Sequence, residues 1–301
     1  MLIITQKYIN YNYINRLFIQ VLLISRYNLD LRSPMPNQNK KLTLGVNIDH
    51  IAVLREARQI NDPDPLMALD ICAQNGADQI TIHLREDRRH IQDADAKNII
   101  RSSRLPVNLE CAIDEGIITI IRELLPHRAT LVPEKRQEVT TEGGLDVLAQ
   151  AMALDITIEQ LSSSDIPVSL FIDPDIKTIE KSKFLGADMI ELHTGRYANI
   201  FAMLHSSLPY SHHSIAEFNL PRHQLEVMLA QEIITLQKAA DYALSIGLRV
   251  AAGHGLNYHN IAPIASIASI EELNIGQSII ARSIFTGLAD AVKEMKALCV
   301  R

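Results

Sequence analysis

The chain has 301 residues, of which 47% are hydrophobic and 21% charged, and it contains only 3 cysteines. This composition excludes collagen-like, disulfide-rich and intrinsically disordered classes and is typical of a folded globular protein. The formal net charge of −6 disfavours nucleic acid and membranes as partners, so an anionic ligand needs a local binding site. Cys72, Cys111 and Cys299 lack CxxC spacing, which favours reduced thiols and a cytoplasmic location.

Residues 1–40 form an extra N-terminal segment ahead of the first clear strand. Their apolar run, Leu17–Ile24, is far shorter than the about 20 residues that a membrane-spanning helix needs. The segment is either an additional amphipathic element or the product of a translation start placed too far upstream. We favour the second interpretation, with Met35 as the alternative start.

From Leu42 onward, short apolar runs typical of strands alternate with longer stretches of helical periodicity. Three of the helical stretches end in glycine (Gly76, Gly186, Gly247), the residue that most readily closes a helix in the left-handed conformation. The predicted strands are Leu42–Asn47, Gln79–Leu84, Val107–Glu110, Thr130–Val132, Val168–Ile172, Met189–His193, Arg249–Ala252 and Glu272–Ile275.

Eight such strand–helix units predict an α/β fold, a closed (β/α)8 TIM barrel of parallel strands over residues 41–301. This region would form a single catalytic domain. A doubly wound open sheet is the alternative, but no glycine-rich dinucleotide fingerprint follows the first strand. The pattern therefore favours the barrel.

Polar side chains follow nearly every predicted strand, at the end where catalytic groups of such barrels lie. A chain with 21% charged residues would not place titratable groups at so many strand ends by chance. This clustering predicts an enzyme whose active site is the barrel mouth. The residues are Asn47, Asp49, His50, His83, Arg85, Glu110, Glu134, Lys135, Arg136, Asp173, His193, His254 and Gly276.

Several of these residues suggest particular roles. His83 is followed by Arg85 and further cations, and a neutral imidazole beside cations can act as a general base. Glu110 either pairs with an arginine or serves as an acid or base. Glycines in the Gly253–Gly255 turn and at Gly276 allow backbone N–H groups to approach a phosphate.

Two other features favour a structural interpretation. The stretch 199–224 contains four histidines, but without tight ligand spacing, and we predict a helical crossover there rather than a metal site. Cys111 is predicted to be a core residue rather than a nucleophile. The polar loop 132–144 is either a binding loop over the mouth or an ordinary surface loop.

Five sequence strings closely resemble those of the pyridoxine 5′-phosphate synthase family, from about Leu42 to the C-terminus. They are GVNIDHIA, HLREDRRH, VPEKRQEVTTEGG, AGHGL and ELNIG. The resemblance implies a TIM barrel that condenses 3-amino-2-oxopropyl phosphate with 1-deoxy-D-xylulose 5-phosphate and releases inorganic phosphate and water. It also implies that the enzyme needs no metal or redox cofactor and assembles as a homo-octamer built from dimers.

The resemblance also implies roles for individual residues. His83 and Glu110 would be proton acceptors and His254 a proton donor. The aminoketone phosphate would be held by Asn47, Arg58, Gly255 and Gly276, with Gln277 beside them. The deoxyxylulose phosphate would be held by Asp49, His50, Arg85, His90 and Thr140.

The sequence departs from the family pattern at three places. Gln277 stands where the family usually has histidine, the segment 199–224 is longer than is typical, and residues 1–40 have no counterpart. Three rival functions also stay open. They are a Schiff-base aldolase that uses Lys135, a non-catalytic phosphosugar-binding protein, and a metal-dependent hydrolase that uses His50, His83, His193 and His254.

Overall fold

The computed structural model describes residues 41–134 and 143–300. Eight parallel strands form a closed barrel in chain order, so the TIM-barrel prediction is confirmed. The strands are β1 Thr43–Asn47, β2 Gln79–His83, β3 Val107–Cys111, β4 Arg128–Leu131, β5 Val168–Ile172, β6 Met189–His193, β7 Arg249–Gly253 and β8 Glu272–Ile275.

The predicted strand bounds differ from the observed ones mainly at β4. This strand begins two residues earlier than expected, at Arg128, which is in register with Asn108 of β3. Arg128 is buried although it is charged, and a prediction based on apolar runs excludes such a residue from a strand.

Helices cover the barrel. They are α1 Asp49–Arg58, α2 Ala68–Gln74, α3 Asp93–Ser102, α4 Glu115–Leu124, α5 Ala151–Ser162, α6 Ile176–Phe184, α7 Gly195–His205, α8 Arg222–Ser245, α9 Ile261–Ala265, α10 Gln277–Thr286 and α11 Leu288–Leu298. Side chains define several helix starts. Asp114 accepts the backbone N–H of Ile117 at 3.0 Å ahead of α4, and Asp175 accepts that of Thr178 at 2.9 Å ahead of α6.

The predicted glycine closures are confirmed at the other end of the helical stretches. Gly76, Gly186 and Gly247 all have positive φ, between 80° and 105°. A residue with a Cβ adopts this conformation only at a cost in energy. Each glycine therefore turns the chain from a helix into β2, β6 or β7.

The crossover predicted at 199–224 lies outside the barrel wall. It consists of the end of α7, two 3-10 turns (Leu208–Tyr210 and Ala216–Phe218) and the start of α8. Phe218 is buried, whereas His205, His212, His213 and His223 are exposed. Within the described ranges, no helix is both long and apolar enough to cross a membrane.

The inside of the barrel is polar rather than aliphatic. Alternate strand residues are fully buried apolar side chains, as in Leu44, Val46, Ile80 and Ile82. The residues of opposite parity include the buried polar side chains of Gln79, Thr81, Asn108, Arg128, Thr130, Glu191, Glu272 and Asn274. Hydrogen bonds join these groups into a network beneath the barrel mouth.

Candidate active site

The end of β1 is tied to the end of β2 through Asp49. The Asn47 side-chain amide donates to Asp49 Oδ2 at 2.9 Å, and the Asp49 N–H donates to Asn47 Oδ1 at 2.9 Å. The second oxygen, Oδ1, accepts the backbone N–H of His83 at 2.9 Å. Asn47 and Asp49 therefore lie together at the mouth, and Asp49 also positions the backbone of His83.

His83 is hydrogen-bonded to a carboxylate that the prediction did not assign to it. Its Nε2 lies 2.6 Å from Glu134 Oε1, and Glu134 also accepts the N–H of Glu86 at 3.1 Å. Burial raises the pKa of Glu134, but the His83 hydrogen bond, the His83 charge, the Glu86 N–H and Arg85 outweigh it, and the pKa falls below its usual range. The cations that flank His83 in sequence are therefore only part of its environment, because the group bound to its ring is an anion.

Two further histidines of the predicted site lie close by. The His90 ring meets that of His83 edge to face, with centroids 6.1 Å apart. His50 is the second residue of α1, and its Nδ1 is buried without a hydrogen-bond partner among the described residues. Burial lowers the pKa of both His50 and His90, although the negative charge of Asp49 opposes the shift. Both rings therefore favour the neutral form.

Two glutamates, Glu110 of β3 and Glu191 of β6, interact through their charges. Burial, together with the charges of Glu191 and Asp49, raises the pKa of Glu110 well above its usual range. Burial also raises the pKa of Glu191, to about 7, while a 2.7 Å hydrogen bond from the Asn274 amide opposes that rise. Two carboxyl groups in one buried space do not ionise independently, so the pair retains a proton near neutral pH.

Glu191 was missed by the sequence analysis. It lies within β6 rather than at its end, where the predicted site residues lie. A signal was nevertheless present, because Glu191 and His193 are two residues apart on one strand and share a face. A carboxylate inside an otherwise apolar strand run is unusual and points to the barrel interior.

His254 follows β7 in a strained conformation. Its φ is +79°, which is uncommon outside glycine, and its carbonyl accepts the Thr194 hydroxyl at 2.6 Å. Burial, together with the charge of neighbouring His193, lowers the pKa of His254 to about 4. Strain of this kind persists only where surrounding contacts hold it, and it is frequent at functional sites.

Two of the residues predicted to bind phosphate lie at the start of α10. Gly276 precedes this helix and packs against Asn47, so a Cβ at Gly276 would lie 2.8 Å from the Asn47 Cβ. Gln277 is the exposed first residue of α10. A helix N-terminus that carries free N–H groups attracts anions, and phosphate is often bound after the last strands of such barrels.

One predicted ligand, Arg58, lies away from the mouth of its own chain. Arg58 is the exposed last residue of α1, about 13 Å along the helix from Asp49 at 1.5 Å per residue. Thr140 lies outside the described residues, as do Lys135, Arg136 and residues 1–40. Their predicted roles stay predictions.

A cavity of about 390 Å³ opens beside Glu134. Arg85 and Arg88 line it on one side, and Asp114 and Gly116 at the start of α4 line it on the other. This volume lies within the range of small-molecule binding sites. The cavity therefore extends the mouth next to the His83–Glu134 pair.

Asp49, His83 and Glu110 are spaced like metal ligands, with one donor atom of each within 4.8 Å of the others. No other group of three such residues occurs in the described ranges, so the four histidines of the rival hydrolase do not form one ligand cluster. Hydrogen bonds already engage both Asp49 oxygens and His83 Nε2. Several of the atoms that could bind a metal therefore already have hydrogen-bond partners within the protein.

The closed barrel and the titratable groups in its mouth define a (β/α)8-barrel enzyme suited to acid–base chemistry. The family model described as "Pyridoxal phosphate biosynthesis protein PdxJ" matches residues 44–301. The chain belongs to this family.

Individual relatives agree with the family match. The chain is 64% identical to pyridoxine 5′-phosphate synthase from Sulfurimonas denitrificans over 260 residues, 86% of this chain and 100% of that protein. It is 63% identical to the same enzyme from Nitratiruptor sp. over 257 residues, 85% of this chain and 97% of the relative. A solved structure of phosphoribosylanthranilate isomerase from Thermotoga maritima is 11% identical and matches with a TM-score of 0.51. The match covers 86% of this chain and 98% of that chain, and it shows a common fold only.

Proposed function

We propose that this protein is a pyridoxine 5′-phosphate synthase. It condenses 3-amino-2-oxopropyl phosphate with 1-deoxy-D-xylulose 5-phosphate and releases inorganic phosphate and water. The observation that carries the proposal is the convergence of His83, Glu110 and His254 on one barrel mouth, in a chain 64% identical to an enzyme of that name. Amine attack on a ketone, dehydration, phosphate loss and ring closure all require proton transfers, which these groups supply.

The three proposed catalytic residues differ in their environment. His83, hydrogen-bonded to Glu134, and Glu110, beside Glu191, act as proton acceptors. His254, the proposed donor, has a pKa of about 4 and must gain a proton before it can donate one. A dianionic phosphate bound at the adjacent Gly255 favours the protonated imidazole, so substrate binding prepares the donor.

The substrates are proposed to bind through their phosphates on either side of these groups. Asn47, Gly255 and Gly276 hold the aminoketone phosphate, while Asp49, His50, Arg85, His90 and Thr140 hold the deoxyxylulose phosphate. Orienting two charged substrates together removes much of the entropic barrier to their reaction. We propose that Arg58, which lies away from the mouth of its own chain, acts on that of a neighbouring copy within a homo-octamer.

We further infer that the enzyme works in the cytoplasm without a metal or redox cofactor. All three cysteines are buried and free, as expected in a reducing compartment. Incubation with both substrates should yield pyridoxine 5′-phosphate and inorganic phosphate at a rate unchanged by EDTA. Binding without phosphate release would favour the phosphosugar-binding protein, and loss of activity that zinc restores would favour a metal-dependent enzyme.

Lys135 separates this proposal from a Schiff-base aldolase. Borohydride added during turnover should leave no covalent adduct on Lys135, because acidic side chains such as Glu134 and Glu138 favour a protonated, unreactive amine. Peptide mass spectrometry measures the adduct directly. A trapped substrate on Lys135 would instead support the aldolase.

Gln277 should weaken the hold on the aminoketone phosphate. A neutral amide gives a weaker hydrogen bond to phosphate than an imidazolium, by about 1 kcal/mol, so Gln277→His should lower that KM about fivefold. The gain should be larger at pH 6 than at pH 8, because a histidine with a pKa near 6.5 is charged only at the lower pH. Steady-state kinetics with Gln277→Leu as a control measures this effect, and an unchanged KM at pH 6 would contradict it.

A further inference from the structure

Three neighbouring strand ends bring together a carboxylate and two imidazoles. Asp173 follows β5, His193 ends β6 and His254 follows β7. His193 Nδ1 lies 3.0 Å from Asp173 Oδ1, and the His193 and His254 rings meet edge to face with centroids 5.0 Å apart. Of these three, the proposed function assigns a role only to His254.

The surroundings hold the His193 ring in one orientation. Phe171 packs against it with centroids 5.1 Å apart and against His254 at 6.2 Å. Gly195 leaves room for the other edge of the ring, since a Cβ there would lie 2.3 Å from His193 Nε2 and 3.1 Å from His254 Cδ2. The two imidazoles therefore meet at a point that only glycine can occupy.

The Asp173 carboxylate is held as well. It accepts the backbone N–H of Gly144, and Gly144 lies so close to the end of β5 that a Cβ there would lie 2.2 Å from the Asp173 nitrogen. His193 is more than nine-tenths buried, and its Nε2 has no hydrogen-bond partner among the described residues. A buried imidazole with one nitrogen fixed by a carboxylate and the other unpaired is rarely only a packing element.

We propose that Asp173 and His193 are a positioning pair for His254: the carboxylate orients the His193 ring, and that ring sets the orientation and the charge environment of the His254 ring. The proposal rests on the proposed function, because it concerns the proton donor of that reaction. In many active sites a carboxylate orients a histidine, and that histidine in turn acts on a neighbouring reactive group. Here the partner is a second imidazole.

The electrostatics agree with this arrangement. The hydrogen bond to His193 lowers the pKa of Asp173, so the carboxylate is charged. A protonated His193 in turn lowers the pKa of His254, in addition to the larger effect of burial. The other ionisable groups on the packed elements are Glu191 on β6, Arg249 on β7, Glu272 on β8, and Arg196, Tyr197 and His205 on α7. Arg249 is paired with Glu271, and Arg196 with Glu217 and Glu232.

Replacement of His193 by Asn or by Phe tests the pair. Asn keeps an N–H group for Asp173 but cannot carry a positive charge. Phe keeps the ring packing but has neither the N–H group nor the charge. In either variant the titration midpoint of His254, followed by NMR of ¹³C-labelled histidine rings and assigned with His254→Gln, should rise by about one pH unit. His212→Asn, at an exposed histidine outside the mouth, should not move it.

Kinetics supply the second readout. In His193→Asn, kcat should fall about tenfold with little change in either KM, and the alkaline limb of its pH profile should move to higher pH. A purely structural role would lower kcat without moving that limb. Unchanged titration of His254 in folded His193→Asn and His193→Phe would overturn the proposal. Absence of pyridoxine 5′-phosphate formation by the unaltered enzyme would instead refute the proposed function, and the NMR test would still apply.

Discussion

Replacement of Glu110 by Gln should lower kcat about 10³-fold while the barrel stays folded. The amide keeps the shape and hydrogen-bonding capacity of the carboxyl group but cannot take up a proton, and general acid–base residues contribute about 10²- to 10⁴-fold. The raised pKa of Glu110 makes it a stronger base than an exposed carboxylate once it has ionised. Steady-state rates of pyridoxine 5′-phosphate formation measure the loss.

The same substitution should change how stability depends on pH. The folded state retains the Glu110 proton at pH values where the unfolded chain has released it, so the unaltered protein loses stability as the pH rises above about 4.3 towards the raised pKa. Gln has no such proton. The thermal midpoint of the Glu110→Gln protein minus that of the unaltered protein should therefore be larger at pH 8 than at pH 4.5.

His83→Ala is the companion to this test. It removes the ring that Glu134 contacts, so turnover should also fall strongly. The pH-dependent change in stability expected for Glu110→Gln should be absent in His83→Ala, because the Glu110 carboxyl group is still present. Rates like those of the unaltered enzyme in either variant would contradict the assigned roles. Circular dichroism shows whether each variant is folded.

The arrangement of strands was predictable because it depends on local patterns. Apolar runs, helical periodicity and closing glycines such as Gly76 are visible in neighbouring residues, and parallel topology then places all strand ends at one mouth. Asn47, Asp49 and His83 could be grouped on that basis alone. Their hydrogen bonds confirm the grouping.

What the sequence did not reveal depends on contacts between distant residues. Glu134 binds His83 from 51 positions away, and Glu191 meets Asn274 from 83 positions away. Neither pairing follows from spacing along the chain. Arg58 has an intact motif, but its helix carries it away from the mouth of its own chain, which the motif alone did not indicate.

The largest loss of stability should follow replacement of Arg128 by Ala. Its guanidinium is hydrogen-bonded to both carboxylate oxygens of Glu272 inside the barrel, with Nη1 3.2 Å from Oε2, and it also donates to Asn108 Oδ1 at 3.2 Å. Removing the cation leaves a buried carboxylate without its countercharge. Such a change costs about 3–5 kcal/mol of the free energy of unfolding.

A double variant, Arg128→Met with Glu272→Met, is the matched control. It removes both charges and fills their volume with apolar side chains, so it should recover most of the stability that Arg128→Ala loses. Urea unfolding at one fixed protein concentration compares the three proteins, because the stability of an oligomer depends on concentration. Equal losses in the single and double variants would show that the ion pair itself, rather than an unpaired charge, accounts for the effect.

The ion pair should also act on the chemistry through Asn274. Its amide donates to Glu272 Oε1 at 3.1 Å and to Glu191 Oε2 at 2.7 Å, so the interior network ends on a carboxyl group of the proposed active site. The charge of Glu272 raises the pKa of Glu191 and that of Arg128 lowers it. Arg128→Ala should therefore shift the pH dependence of kcat towards higher pH, whereas the double variant, which removes both opposing charges, should shift it less.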